Sequence, residues 1–259
     1  MDLKLKDKVA IVGGASQGIG FGIARTLAAE GVKLAITARR EEHLHQAAEK
    51  IRAETGTETL ALPADCRRAE DCAAVITLTS AHFGGVDILI NNDGAPPLGE
   101  LTHFDDKAWH EAIERNFMYV VRMCRAAAPL IKARGGGSIL NITAISAIQP
   151  IPGFGLSVAT WDAVIGYAKT LSLELAAAGI NVNTICPGYI ETERLQKVFA
   201  ADGRDPKVMR EKLASEIAMQ RIGTVEDIAN IVAFLVSPRG NYITGTAIQV
   251  DGGLFRGLR

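Results

Sequence analysis

Near the amino end, Gly13, Gly14, Ala15, Ser16, Gln17, Gly18, Ile19 and Gly20 follow an apolar, β-branched stretch and open an amphipathic one. Glycines placed between a strand and a helix suit one kind of chemistry. With no Cβ in the way, backbone N–H groups can close on an anion, and the helix dipole adds partial positive charge, so the loop fits a pyrophosphate. A second feature is an absence: from Gly135 to Trp161 no residue is charged. That run is long enough to cross a bilayer. Asn141, Gln149, Pro150, Pro152 and the glycines Gly135, Gly136 and Gly137 argue against it, because broken backbone goes unsatisfied in lipid.

The elements that must position these residues alternate. Short β-branched runs at Lys8 to Gly13, Val32 to Ala38, Thr57 to Leu62, Ile88 to Asn91, Ser138 to Thr143, Asn181 to Ile185 and Ala247 to Val250 read as seven strands. Segments of helical period lie between them: Ile19 to Glu30, Glu41 to Glu54, Ala69 to Ala81, Lys107 to Ala133, Val158 to Ala178 and Glu226 to Leu235. The alternation predicts an α/β chain, a single doubly wound Rossmann domain over residues 1–259 with a seven-stranded parallel sheet and helices on both faces. Glu193 to Glu216 departs from the pattern, with mixed charges, Gly203 and Pro206. It reads as one or two short exposed helices forming a lid over the crevice at the strand ends.

Composition narrows the function classes. The chain has 259 residues, 48% hydrophobic and 22% charged, which excludes a disordered tail, and its formal net charge of -1 gives no footprint for nucleic acid or an anionic membrane. Cys66, Cys72, Cys124 and Cys186 form no CxxC pair and have no histidines at metal spacing. They read as buried reduced thiols, with no metal. No apolar stretch before the first glycines makes a signal peptide, so a cytoplasmic protein is expected.

The glycine run resembles the TGxxxGxG loop of the short-chain dehydrogenase/reductase family, with Gly13 in place of the threonine. The resemblance continues through Asp65, through Asn91-Asn92-Asp93-Gly94 (NNAG in the family), Asn116, Pro187-Gly188 with Thr192, and the ending Val250-Asp251-Gly252-Gly253. Members resembling 3-oxoacyl-carrier-protein reductases are the nearest in pattern. The resemblance implies a nicotinamide dinucleotide held by Gly14, Ser16, Gln17, Gly18, Ile19 and Gly20 in the loop. It further implies contacts to adenosine from Asp65, Cys66, Asn92 and Gly94, and to the nicotinamide end from Pro187, Gly188, Ile190 and Thr192. A homotetramer or homodimer acting on a small molecule is implied as well. At the end of strand two stand Thr37, Ala38, Arg39 and Arg40. With no carboxylate for a ribose 2′-OH and two guanidiniums available for a 2′-phosphate, NADP(H) is favoured over NAD(H).

Carbonyl reductases of the family use Asn, Ser, Tyr and Lys, the last two as YxxxK. Here Tyr119, Tyr167, Tyr189 and Tyr242 all lack a lysine four residues later. Aligned without a gap, Ala144 falls at the serine position, Ser157 at the tyrosine position and Trp161 at the lysine position, and Asn116 alone is retained. Tyr167 lies about 15 Å further along the same helix and cannot stand in. Asp93 and Ser146 are the remaining candidates for chemistry in the crevice, and His103 follows a loop expected to border it. Serine is no general acid near neutral pH and an indole N–H has no useful acid chemistry, so ordinary ketone reduction should be weak. The expectation is an atypical oxidoreductase. The alternatives are a catalytically retired dinucleotide-binding pseudo-enzyme or sensor, and a non-redox lyase or isomerase on the same scaffold.

Overall fold

The computed structural model describes residues 1–92, 94, 96–202 and 205–258, the side chains at 197, 198 and 200–202 excepted. Seven parallel strands form one sheet in the order β3-β2-β1-β4-β5-β6-β7. They are β1 (Val9–Val12), β2 (Lys33–Ala38), β3 (Thr59–Pro63), β4 (Ile88–Asn91), β5 (Gly137–Ile142), β6 (Ile180–Pro187) and β7 (Ala247–Val250). The order reverses between β1 and β4, and a crevice opens there at the carboxyl ends of the strands.

Each strand turns alternate side chains to opposite faces, and the two cores follow from that. Ala10 and Val12 of β1, with Leu34 and Ile36 of β2, pack under α1 (Gly18–Ala29), α2 (Glu41–Thr55) and α9 (Val225–Leu235). Ile11, Ala35 and Leu89 face the other way, against α3 (Ala69–Phe83), α5 (Tyr119–Ala133) and α6 (Gly155–Leu175). Complete burial of such a side chain is worth about 1.5–3 kcal/mol. β1 is buried along its whole length, so the glycine loop leaves from the middle of the packed sheet.

Helix ends are marked chemically. α2 and α3 carry Glu41, Glu42, Glu70 and Asp71 in their first turns, matching the dipole, and stop at Gly56 and Gly84 in the left-handed conformation. α1 has no acid in its first turn, and its N-cap, Gln17, makes no side-chain cap. The start of α1 is left electropositive and open.

The segment of helical period at Lys107 to Ala133 is helical along its length but not α-helical throughout. α4 (Asp106–Ile113) passes into a π turn, Glu114–Met118, before α5 begins. One turn with an extra residue leaves both flanks amphipathic, so hydrophobic period alone does not reveal it. The segment after β6 is helical as expected. It holds two helices, α7 (Glu193–Asp202) and α8 (Pro206–Glu216), with a small core of their own in which Leu195, Phe199, Met209 and Leu213 are buried. Gly203 lies outside the described residues. The uncharged run becomes β5, a short 3-10 turn and the start of α6. No helix among the described residues is long and apolar enough to cross a membrane.

Candidate functional site

The loop after β1 is built around glycine geometry. Gly14 (φ +56) and Gly18 (φ +61) occupy the left-handed region, and a Cβ on Gly14 would collide with the backbone oxygen of Asn92. A Cβ on Gly20 would strike Gly14 O. Asn92, at the end of β4, donates from Nδ2 to Gly13 O at 3.1 Å, which ties the loop across the reversal point. The first N–H groups of a helix have no intrahelical acceptor, and at α1 neither a cap nor an acid supplies one. Ser16, Gln17 and Ile19 flank this helix start and are half-buried. The residues fit a dinucleotide pyrophosphate: close backbone, free helix N–H groups and no competing carboxylate.

At the outer end, Arg40 just beyond β2 donates to Gln17 Oε1 at 2.6 Å. Arg39 and Arg40 are exposed. Asp65 is chelated by Arg67, whose Nε lies 2.8 Å from Oδ1. That hydrogen bond first, and the charges of Arg67 and Arg39 with it, hold the Asp65 carboxyl below the usual range. Cys66 is buried beside it, and its carbonyl accepts from Cys72 Sγ at 3.1 Å. All four cysteines are free and buried. Burial pushes the Cys124 thiol up to about 12, which makes it inert.

At the inner end a cavity of about 190 Å³ runs along the strand tips. Ile19, Asn92 and Gly94 form one wall, and Thr143, Ala144, Ser146 and Trp161 another. Pro187, Gly188, Ile190 and Thr192 close the side after β6. A Cβ on Gly188 would come within 2.8 Å of Asp251 Cα, so the chain can pass here only as glycine. Among the described residues no cluster of His, Cys, Asp or Glu is placed to hold a metal.

The positions compared with the family tetrad are not equivalent in space. Asn116, in the π turn, donates from Nδ2 to Thr160 Oγ1 at 2.8 Å, while its buried Oδ1 has no partner. Ser157, on the first turn of α6, is 1% exposed, and its Oγ is enclosed without a partner outside the cavity lining. Trp161, one turn on, is 8% exposed and forms part of the wall. Ser146 is 1% exposed, lines the cavity, and its Oγ has no partner. Thr143 also reaches the cavity, but its hydroxyl is spent on Ile185 O at 3.1 Å. Asp93 lies outside the described residues. His103 does not line the cavity; it is exposed, 3.7 Å from Glu100. Among the lining residues that the sequence reading did not name as site residues, Tyr189 and Arg194 carry polar groups. Burial pushes the Tyr189 phenol up, with Glu216 adding to the effect. The aromatic after Pro187-Gly188 was the available signal, and only the topology brings it to the cavity.

Known proteins extend these features. The model of the family described as enoyl-(acyl carrier protein) reductase matches residues 14–255. Dehydrogenase/reductase SDR family member 4 of Homo sapiens is 33% identical over 96% of this chain and 88% of its own length. The 3-oxoacyl-[acyl-carrier-protein] reductase FabG of Staphylococcus epidermidis is 34% identical over 96% and 99%. Among solved structures, L-sorbose reductase from Gluconobacter frateurii, complexed with NADPH and L-sorbose, superposes with a TM-score of 0.95 at 34% identity, covering 100% of both chains. Actinorhodin polyketide ketoreductase with NADPH superposes at 0.91 with 31% identity over 95% and 97%. The reversed strand order, the open start of α1 and these likenesses together establish that the chain belongs to the short-chain dehydrogenase/reductase family of NAD(P)-dependent oxidoreductases.

Proposed function

We propose that this chain is an NADP(H)-binding reductase whose proton-transfer machinery is atypical. The observation that carries the reading is Trp161: an indole forms the cavity wall on α6 where the family pattern has lysine, and Ser157, one turn earlier, keeps its hydroxyl outside the cavity. Ala144 removes the third group. The α1 amino end and the glycine loop hold the pyrophosphate, Arg40 with Arg39 takes the 2′-phosphate, and Ile190 with Thr192 borders the nicotinamide. Asp65, Cys66, Asn92 and Gly94 serve the adenosine side. The cofactor, when bound, supplies a hydride.

The protein's own part is to position the acceptor and exclude water. Apolar Ile142, Ile145 and Ile151 surround the substrate space. Ser146 offers the unpartnered hydroxyl that can orient a substrate oxygen. Asn116 holds its turn against Thr160 and keeps one carbonyl oxygen for an ordered water. α7 and α8 act as the lid. Without a tuned phenol, the proton reaching a reduced oxygen comes from solvent or from Asp93, and turnover of simple ketones is weak. An activated C=C, whose reduction needs no strong acid at the first step, is the better acceptor class.

Titration with NADPH and NADH tests the cofactor assignment: NADPH binds the more tightly. A consumption assay on paired ketones and enones tests the chemistry, with ketone turnover near background. Rapid reduction of a plain ketone would falsify the reading of Ala144, Ser157 and Trp161 as lost catalytic positions.

A further inference from the structure

Arg194 is the one charged residue among the described residues that line the cavity. It stands on the first turn of α7, at the mouth, open to solvent. Its neighbours explain why its charge is available. Glu191, the acid three residues earlier, is fully engaged: Arg210 Nη2 donates to Oε1 at 2.8 Å, Arg210 Nη1 pairs with Oε2, and Gln196 Nε2 reaches Oε1 at 2.6 Å. Arg115, the nearest cation, has interactions of its own and packs its stem against Gly94 of the cavity wall. Among the described residues Arg194 makes neither a hydrogen bond nor an ion pair. Partial burial of the guanidinium, and then the like charge of Arg115, push its pKa down. Asp93 lies outside the described residues.

A second observation points inward from the same cavity. Ser146 Oγ is buried without a partner and belongs to the lining. A buried hydroxyl left unpaired costs about 1–3 kcal/mol, and a ligand oxygen in the cavity removes that cost. The cavity lining thus holds an exposed cation, a buried hydroxyl donor and the apolar side chains of Ile145, Ile151 and Leu195.

We infer that the substrate is a small carboxylate-bearing compound whose carbonyl activates the C=C named above, its carboxylate seated on Arg194 and its carbonyl oxygen on Ser146. The assignment rests on the cofactor reading given above and goes further by naming the substrate class. A guanidinium fork matches a carboxylate bidentately, and a cavity of about 190 Å³ limits the acid to a few carbons beyond the nicotinamide end.

The test uses the full chain saturated with NADP⁺ and calorimetric titration with 2-oxobutanoate, 3-oxobutanoate and 4-oxopentanoate, each against its methyl ester. At least one acid binds 10-fold or more tighter than its ester. Arg194→Gln abolishes that discrimination, and Arg194→Lys restores part of it. Ser146→Ala weakens acid and ester alike, because it acts on the carbonyl. NADP⁺ affinity stays within twofold in all three variants. Equal binding of acid and ester across the series, or no acid binding by a protein that still binds NADP⁺, overturns the assignment. So does a loss of NADP⁺ affinity in Arg194→Gln, which would give the arginine to the cofactor. Inorganic phosphate is titrated in parallel, and Arg194-dependent binding of phosphate without the acids also overturns it. Failure of the wild-type chain to take up NADP⁺ at all counts against the cofactor reading instead, and the first titration reads it separately.

Discussion

The Arg40 guanidinium donates to the side-chain oxygen of Gln17 at 2.6 Å, so the end of β2 is clipped to the glycine loop by a cation and a neutral amide. A phosphate is a far stronger acceptor than an amide. On the NADP(H) reading proposed above, the clip would hold a guanidinium in place until a 2′-phosphate arrived and would then yield to it. Arg40→Ala should weaken NADPH binding roughly 10- to 100-fold, the value of one charge-assisted contact, and leave NADH within twofold. Nucleotide fluorescence titration separates the two. Equal losses for both nucleotides would show that the arginine shapes the loop rather than reading the phosphate.

If Ala144, Ser157 and Trp161 stand at the family's catalytic positions, as proposed above, restoring those groups should restore chemistry. The triple variant Ala144→Ser, Ser157→Tyr and Trp161→Lys should gain ketone reductase activity over the wild type by about 10²–10⁴-fold, the usual worth of a positioned general acid. These side chains act as a unit, so single substitutions should gain little. The check is NADPH consumption with a ketone panel, beside a thermal scan to confirm folding. A folded triple variant with no gain would mean that something other than these positions sets the chemistry.

Gly14 tolerates no side chain. Its φ of +56 and its contact with Asn92 O are both incompatible with a Cβ. Gly14→Ala should cost about 1–3 kcal/mol from strain alone and lower Tm by roughly 3–10 °C, with loss of nucleotide binding. Gly56→Ala shares the positive φ but meets no atom within 4 Å. It should cost stability without touching nucleotide affinity. Scanning calorimetry and titration on the same samples distinguish the two.

A pH-dependent contribution is expected at α9. Thr224 and Asp227 cap its amino end reciprocally, and Arg221 Nη1 donates to Asp227 Oδ2 at 2.6 Å. The Arg221 hydrogen bond, and then the Thr224 backbone N–H, pull the Asp227 pKa down to about 2 from 3.8. A carboxyl whose folded value is depressed stabilises the fold above its unfolded value and loses that contribution as pH falls toward the folded one. Wild type should exceed Asp227→Asn by about 1 kcal/mol near neutrality, the gap narrowing as pH drops below 4. Solvent screens this pair, so added salt should shrink the gap too. Urea unfolding at pH 6, 4.5 and 3.5 measures it; a gap that grows on acidification would contradict the assignment.

Much of the scaffold was legible from residue order. Alternating runs such as Val9 to Val12 and the Ile88 to Asn91 segment located the sheet, and glycines between a strand and a helix located the reversal point. Strand ends moved by one or two residues, because Ile180 and Pro187 are held by pairing with β5 and β7 rather than by their own propensity. The π turn escaped because a one-residue phase shift hides between two amphipathic flanks. The core of α7 and α8 left a trace in the i, i+4 pairs Leu195 and Phe199, Met209 and Leu213, but the surrounding charges masked it. Arg194 and Tyr189 follow β6 in sequence, whereas Ala144 and Ser146 follow β5. Only the pairing of those two strands brings them to one cavity.

The π turn at Glu114–Met118 makes Asn116 harder to displace than its neighbours in the cavity. On the proposed reading, the groups at 144, 157 and 161 can change by point substitution, one residue at a time, on an unchanged backbone. The placement of Asn116 depends instead on an extra residue in the helical count. Straightening that turn into α-helix by substitution alone, with no residue removed, would turn everything from Tyr119 onward by about 100°. Met123, Cys124 and Ala127, now packed on the sheet, would swing away from it. The widened turn therefore works as a ratchet: once the core has been packed around it, its removal is a repacking of α5 and not a local repair.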